Sequence, residues 1–279
     1  IAGNAVFING AFGLPAMGAA GAALASDISR LVGVAAIAVL FCRRFPGMIS
    51  LRFLRPFPIW QLRTLLRIGL PTGGESLSYN ASQLMLQAFC NLMPLYVVTT
   101  KVYANMFAML SYIFASAIGQ ATQVVAANLM GAGDHDGVDR AVRYTLRRAM
   151  AISTTVSVLL FLFATPVYSL FTSDPDVLAL CKWVMLVEIP LEMGRAVNIV
   201  MCRSLQACGD IRFPITICVI SAWLISVGGG FVAGNLLGFG LVGIWAGQAA
   251  DEVLRAFLFM GRWKSGVWRK KRLLAQHKG

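Results

Sequence analysis

Four stretches without a single charged side chain set the strongest limit on what this sequence can fold into. They cover residues 76–100, 102–133, 149–173 and 213–250. A helix needs roughly 20 apolar residues to cross the hydrocarbon core of a bilayer, so each stretch is long enough for one or two spans. Charged residues make up only 13% of the chain, against about 25% in soluble domains. The sequence therefore predicts an all-α polytopic membrane protein.

Apolar segments recur along the whole chain, and we count eight. They cover 1–10, 16–42, 67–93, 101–130, 140–171, 177–207, 213–236 and 239–262. From them we predict two helices in 1–43, a linker at 44–66, six helices in 67–263 and a basic tail at 264–279. The linker piece "IWQLRTLLR" alternates apolar and basic residues, which is typical of a short helix lying in the membrane interface.

The net charge of +12 reflects orientation in the membrane and not nucleic-acid binding. Lys and Arg cluster in alternate connections, around 43–67, 140–148 and 203–212 and again in the tail, whereas 94–100, 172–176 and 235–239 contain neither. By the positive-inside rule the basic side is cytoplasmic. We therefore expect a cytoplasmic C-terminus.

An internal repeat links the second and the last segment. "GLPAMGAAGAALASDISR" at 13–30 and "GFGLVGIWAGQAADEVLR" at 238–255 align with a shift of 225 (255 − 30), which pairs Asp27 with Glu252 and Arg30 with Arg255. Two six-helix units would then require four helices before Ile1, so we expect an N-terminally truncated chain. Internally repeated bundles are typical of secondary transporters, whose sites lie near mid-membrane.

Most ionisable residues within the segments have an opposite charge one helical turn away. Asp27 pairs with Arg30 in this way, and Asp251 and Glu252 pair with Arg255, so we interpret both sets as local neutralisation. Glu188, Glu192 and Arg195 flank Pro190, which loosens a helix. For that set a transport site and a structural role both remain open.

Glu75 is different, because no basic residue lies within four positions of it. An isolated carboxylate inside a span is a functional hypothesis: Glu75 would exchange a proton, or ligate Na⁺ with carbonyls freed by Pro71. Tyr79 and Gln83 follow on the same helical face and Asn80 lies beside them. A long-range salt bridge to Arg30, Arg195 or Arg255 is the alternative.

Four motifs in order resemble the bacterial branch of the multidrug and toxic compound extrusion (MATE) transporters. They are "GLPTGGESLSYNASQ", "ASAIGQATQVVAANLMGAGD", "LEMGRAVNIVMCRSLQACGDIRFP" and "GLVGIWAGQAADEVLR". The resemblance implies twelve helices in two lobes and export of organic cations, drugs and dyes in exchange for Na⁺ or H⁺. This chain would hold the end of the first lobe and the whole second lobe.

The resemblance also implies site residues. Glu75 matches the acid of the family's seventh helix, whereas the acid expected in the tenth helix falls at Arg195, a base, so Glu192 one turn earlier is the candidate substitute. Asn4 and Ser26 match surviving positions of a first-lobe cation site. We assign Tyr79, Asn80, Gln83 and Arg195 to the substrate cavity.

These assignments predict a transporter and not an enzyme, without a cofactor, as a monomer in the bacterial plasma membrane. A flippase for lipid-linked oligosaccharides is the alternative within transport, although it would need a more cationic cavity. "GAGD" at 131–134 matches the Gly-x-Gly-Asp of intramembrane aspartyl proteases, but the partner Tyr-Asp pair does not occur. The six cysteines and two histidines show no spacing typical of a zinc site.

Overall fold

The computed structural model describes residues 6–7, 17–45 and 59–271, and no strand occurs in these ranges. The chain divides into two compact units, Ile1–Leu65 and Leu66–Gly279. The boundary lies within a long helix. The predicted all-α fold is confirmed.

Eight α-helices follow one another in residues 17–45 and 59–271. They are α1 Gly18–Arg44, α2 Ile59–Asn91, α3 Leu95–Gly131, α4 His135–Leu162, α5 Ala164–Ser169, α6 Pro175–Ala207, α7 Arg212–Ser221 and α8 Gly240–Lys264. Helix α1 belongs to the first unit, and α3 to α8 belong to the second. Two π-helical stretches, Ala222–Gly229 and Val232–Leu236, extend α7, and a 3₁₀ turn at Val267–Lys270 follows α8.

The predicted segments correspond to these helices with three differences. Segment 1–10 lies outside the described residues except for 6–7. Segment 140–171 is two helices, because the α4 helix ends before Phe163 and α5 begins after it. Residues 59–67, predicted as a separate interfacial helix, form the first turns of α2, which continues through Pro71 without a break. Their position relative to a membrane surface stays a prediction.

Four helical stretches of the described residues are long and apolar enough to cross a membrane. They are Ala20–Arg44, Leu95–Gly131, His135–Leu162 and Arg212–Leu236. The remaining long helices, α2, α6 and α8, carry the charged and polar residues of the candidate site, which lower their hydropathy. Such a division between apolar and more polar helices is expected in a membrane bundle, because polar groups are concentrated on helix faces that point into the protein.

Helix ends follow the capping chemistry in the sequence. The Asp134 carboxylate accepts a hydrogen bond from the Gly137 backbone N–H at 2.8 Å, and Asp174 caps α6 with Pro175 at its first position. Gly133 and Gly209 adopt positive φ angles of 78° and 86° at the ends of α3 and α6, a conformation that favours glycine. Asp134 is therefore a helix cap, which gives the protease-like motif a structural explanation.

Two apolar clusters of the second unit are separated by a polar layer halfway along α6 and α8. The first cluster takes Val184 and Met185 from α6 and Ile244 from α8. The second takes Met201 from α6 and Phe259 from α8. Between these positions lie the charged residues 188–195 and 251–255. Helix α6 packs against α3, α4 and α8, so this layer is at the centre of the bundle.

Glycines allow α8 to approach its neighbours at backbone distance. A Cβ atom at Gly247 would lie 2.5 Å from the backbone nitrogen of Gly230, and one at Gly194 of α6 would lie 2.8 Å from the carbonyl carbon of Glu252. Small residues at helix interfaces permit such close packing in membranes. Gly261, by contrast, has open space at its Cβ position.

We predict that Gly247→Ala lowers the stability of the protein by about 1–3 kcal/mol, because the added methyl group forces α8 away from the backbone of Gly230. The matched control is Gly261→Ala in the same helix. It should raise stability by up to about 1 kcal/mol, since alanine favours the helix more than glycine does. Thermal melts in detergent test both, and equal melting temperatures for the two variants would contradict the packing described here.

Candidate functional site

A cavity of about 680 Å³ opens within the second unit between α2, α3, α6, α7 and α8. Its volume falls in the range of about 300–1,000 Å³ that is usual for small-molecule sites. Its lining is rich in polar side chains, although the helices around it are apolar. These include Glu75, Tyr79, Asn80, Gln83, Asn105, Arg195, Asn198, Arg203, Gln248, Glu252 and Arg255.

Helical periodicity explains which residues reach the cavity. Helix α2 contributes positions 72, 75, 76, 79, 80 and 83, and α6 contributes 195, 198, 199, 202, 203 and 206. These intervals of three and four residues place side chains on one face of a helix. Each helix therefore presents one continuous polar face to the same space.

Five of the predicted site residues share this cavity: Glu75, Tyr79, Asn80, Gln83 and Arg195. Glu192 does not line it, because its side chain is buried behind Arg195, to which it is bonded. Ser26 lies in the first unit, where its hydroxyl donates to the Ala22 carbonyl at 2.9 Å. Asn4 lies outside the described residues.

Glu75 is half-buried, and two thiols lie close to its carboxylate. Oxygen and sulfur atoms of Glu75, Cys202 and Cys218 all lie within 4.8 Å of one another. The guanidinium groups of Arg195 and Arg255 instead form salt bridges with acids of the polar layer, so neither provides the salt bridge that the alternative interpretation of Glu75 required.

Two arginines neutralise the polar layer only in part. Arg195 binds Glu192 one turn away, and its Nε lies 3.7 Å from Glu252 Oε1. Arg255 binds Asp251 at 2.7 Å and Glu252 at 3.0 Å. The structure thus supports local neutralisation of 251, 252 and 255, and it adds a link between α6 and α8. In the first unit, Asp27 and Arg30 are both exposed.

Neutral side chains complete the layer. The Asn198 amide donates to Glu252 Oε2 at 2.6 Å and to the Glu252 backbone carbonyl at 2.7 Å. The Trp245 indole N–H donates to Glu188 Oε2 at 2.6 Å. Four carboxyl groups, at 188, 192, 251 and 252, therefore share two guanidinium groups and two neutral donors.

Several cavity residues were not predicted, namely Asn105, Asn198, Cys202, Arg203, Cys218 and Gln248. Asn198, Cys202 and Arg203 lie three, seven and eight positions after Arg195. The helical period of α6 would therefore have predicted them. Cys218 and Gln248 carried no such signal, because the face that α7 and α8 present depends on tertiary packing.

The whole second unit resembles known transporters. A family model described as MatE matches residues 71–232, more than half of the chain. A protein of Bacillus subtilis (strain 168), the uncharacterized transporter YisQ, is 38% identical over 271 residues, which cover 97% of this chain and 60% of that protein. The probable multidrug resistance protein NorM of Thermotoga maritima is 28% identical over 277 residues, or 97% of this chain and 58% of its own length.

Solved structures show the same arrangement of helices. A crystal structure of MATE in the straight conformation matches with a TM-score of 0.77 at 23% identity, over 95% of this chain and 60% of that one. At this identity the likeness shows the fold. This chain spans about 60% of the length of the relatives that it matches.

We predict that Glu252→Gln and Glu75→Gln differ sharply in stability. Glu252→Gln leaves Arg195 and Arg255 with fewer buried partners and should cost about 3–5 kcal/mol, as is typical when one member of a buried ion-pair network is removed. Glu75→Gln breaks no salt bridge among the described residues and should melt close to the wild type. Melting curves in detergent decide this, and comparable losses in the two variants would show that Glu75 also has a structural role.

Proposed function

Because this chain belongs to the MATE family of transporters, whose model matches residues 71–232, we propose that the full-length protein is a secondary active antiporter. It exports organic cations or drugs in exchange for a coupling ion. Its environment is the lipid bilayer of the bacterial plasma membrane, and its substrates are small molecules.

The cavity of the second unit is the observation that carries this proposal. It combines a drug-sized volume with a half-buried carboxylate, Glu75, and aromatic and amide groups from Tyr79, Asn80 and Gln83 on the same helix face. A cationic substrate is recognised by such a carboxylate together with an aromatic face. The amides then provide hydrogen bonds that orient it.

We propose that Glu75 couples the two fluxes by exchanging a proton for the organic cation. The two thiols beside Glu75 favour H⁺ over Na⁺, because Na⁺ is held by oxygen ligands whereas Cys202 and Cys218 present sulfur. A protonated Glu75 has no charge to attract a cation, and an ionised one does. The carboxylate therefore holds either the proton or the substrate, which is the requirement for antiport.

Arg195 and Glu192 act on this site as a pair. The Arg195 guanidinium lines the cavity, while Glu192 is only 1% exposed and bonds to it from behind. Glu192 thus holds Arg195 in place and offsets its charge, so that a positive substrate is not repelled. The ion pairs of Arg195 and Arg255 also make the cavity less suited to the anionic lipid carrier that an oligosaccharide flippase would bind.

The C-terminus lies on the cytoplasmic side in this proposal. Asp210 after α6 bonds to Arg262 at the end of α8 at 2.7 Å, and Asp136 at the start of α4 bonds to Arg269 at 3.1 Å. These contacts bring three basic connections to one end of the bundle. One shared basic end is what the positive-inside rule places in the cytoplasm.

We predict that Glu75→Gln abolishes dye efflux driven by a proton gradient in vesicles containing the full-length protein. The amide can neither release a proton nor attract a cation, so the loss should reach at least tenfold, or about 1.4 kcal/mol. Asp176→Asn is the matched control, because it also neutralises one carboxylate but lies exposed in the first turn of α6. It should transport normally. Normal efflux by Glu75→Gln would refute the coupling role.

The orientation is tested by fusing reporters after Lys271. A green fluorescent protein fused there should fluoresce, and an alkaline phosphatase should be inactive, because the former folds in the cytoplasm and the latter requires the oxidising periplasm. The opposite pattern would place the basic end outside.

A further inference from the structure

The side chains of Glu75, Cys202 and Cys218 converge from three different helices. Glu75 lies on α2, Cys202 on α6 and Cys218 on α7, and all three line the cavity. One ligand atom from each lies within 4.8 Å of the other two. Within the described residues, no other group of three His, Cys, Asp or Glu side chains has such a spacing. We propose that these residues form a binding site for a thiophilic divalent cation, such as Zn²⁺ or Cd²⁺.

The spacing fits a metal ion after a small closure. In a tetrahedral zinc site with Zn–S distances of about 2.3 Å, neighbouring sulfur ligands lie about 3.8 Å apart. The observed limit of 4.8 Å exceeds this by about 1 Å at most, a distance that rotation about side-chain bonds can close. Three protein ligands leave the fourth position open to the cavity, for water or for another molecule.

The ligand types select the metal. Thiolate sulfur favours Zn²⁺, Cd²⁺ and similar ions, whereas Mg²⁺, Ca²⁺ and Na⁺ prefer oxygen ligands. Two thiols and one carboxylate therefore favour a thiophilic ion over the alkali and alkaline-earth cations that are abundant in cells.

The charge around the site also fits. Two thiolates and a carboxylate carry three negative charges, so a bound divalent ion leaves a net charge of −1. Arg255 Nη1 lies 3.7 Å from Cys218 Sγ, and Arg203 lines the same cavity. These two guanidinium groups offset the remaining negative charge of the occupied site.

Metal binding has a functional consequence that rests on the proposed function. The ion would occupy Glu75, the group proposed to exchange protons and substrate. Zn²⁺ or Cd²⁺ should therefore inhibit efflux by competing with protons and with the substrate.

The test measures binding without any gradient or dye. The full-length protein, kept reduced in detergent, is titrated with Cd²⁺ while the ultraviolet thiolate-to-metal charge-transfer band is followed, and Zn²⁺ affinity is measured by equilibrium dialysis. Wild type should show the band. Cys202→Ser and Cys218→Ser should each weaken binding by about tenfold or more, since even outer-shell changes alter metal affinity by about 10–100-fold.

Two further variants sharpen the result. Glu75→Gln keeps both thiols, so the band should persist with weaker affinity. Cys90→Ser is the matched control, because Cys90 is a buried free thiol on the same helix as Glu75 but outside the cluster; its affinity should equal that of wild type.

Absence of the band in wild type would overturn the proposal, and so would undiminished binding by the Cys202→Ser/Cys218→Ser double variant. The first result needs no variant, so a failure of the serine variants to fold cannot obscure it. The metal site and the proposed function can fail separately. Normal efflux by Glu75→Gln would refute the coupling role but would not change the Cd²⁺ titration. Absence of metal binding would refute the metal site but would not change the efflux measured in a proton gradient.

Discussion

Glu252 of α8 accepts a hydrogen bond from Asn198 of α6 at 2.6 Å and a charged one from Arg255 of its own helix at 3.0 Å. Glu252 as a whole residue is only 7% exposed. Because Glu252 is buried, these polar contacts have little competition from water, and leaving either partner unpaired would be costly. Gly194 strengthens the arrangement, since its missing side chain lets the backbone of α6 lie against Glu252 itself. The two helices are thereby fixed in register, and the other layer residues are positioned from this contact.

The buried acidic residues of the second unit are of two kinds. Glu192, Asp251 and Glu252 are held by Arg195 and Arg255 and keep the bundle together. Glu75 lines the cavity from α2 beside two thiols, and in the proposed mechanism its charge is available for exchange. A transporter needs both kinds, because a carboxylate that is permanently paired cannot release its proton and take up a cation. Arg195 connects the two, as it belongs to the layer and also lines the cavity.

Much of this could be predicted from the sequence, because the forces that set it are local. Charge-free stretches gave the helices, Asp134 and Asp174 gave caps, and spacings of three and four residues gave the pairs at 192/195 and 251/255. Glu75 was singled out because no nearby base neutralises it. Contacts between helices could not be predicted in this way. Nothing local indicates that Asn198 reaches Glu252, that Trp245 reaches Glu188, or that Cys202 and Cys218 meet Glu75. The joining of 59–67 to the following span in one helix was also missed, because the basic residues at 63 and 67 indicate a membrane interface and not the end of a helix.

Proton release on substrate binding tests the central claim most directly. If Glu75 holds either a proton or an organic cation, adding a cationic dye to the full-length protein in weakly buffered detergent solution must release protons. A pH indicator should record acidification with wild type and with Asp176→Asn, and none with Glu75→Gln. Equal acidification by Glu75→Gln would show that another group exchanges the proton, and it would contradict the account.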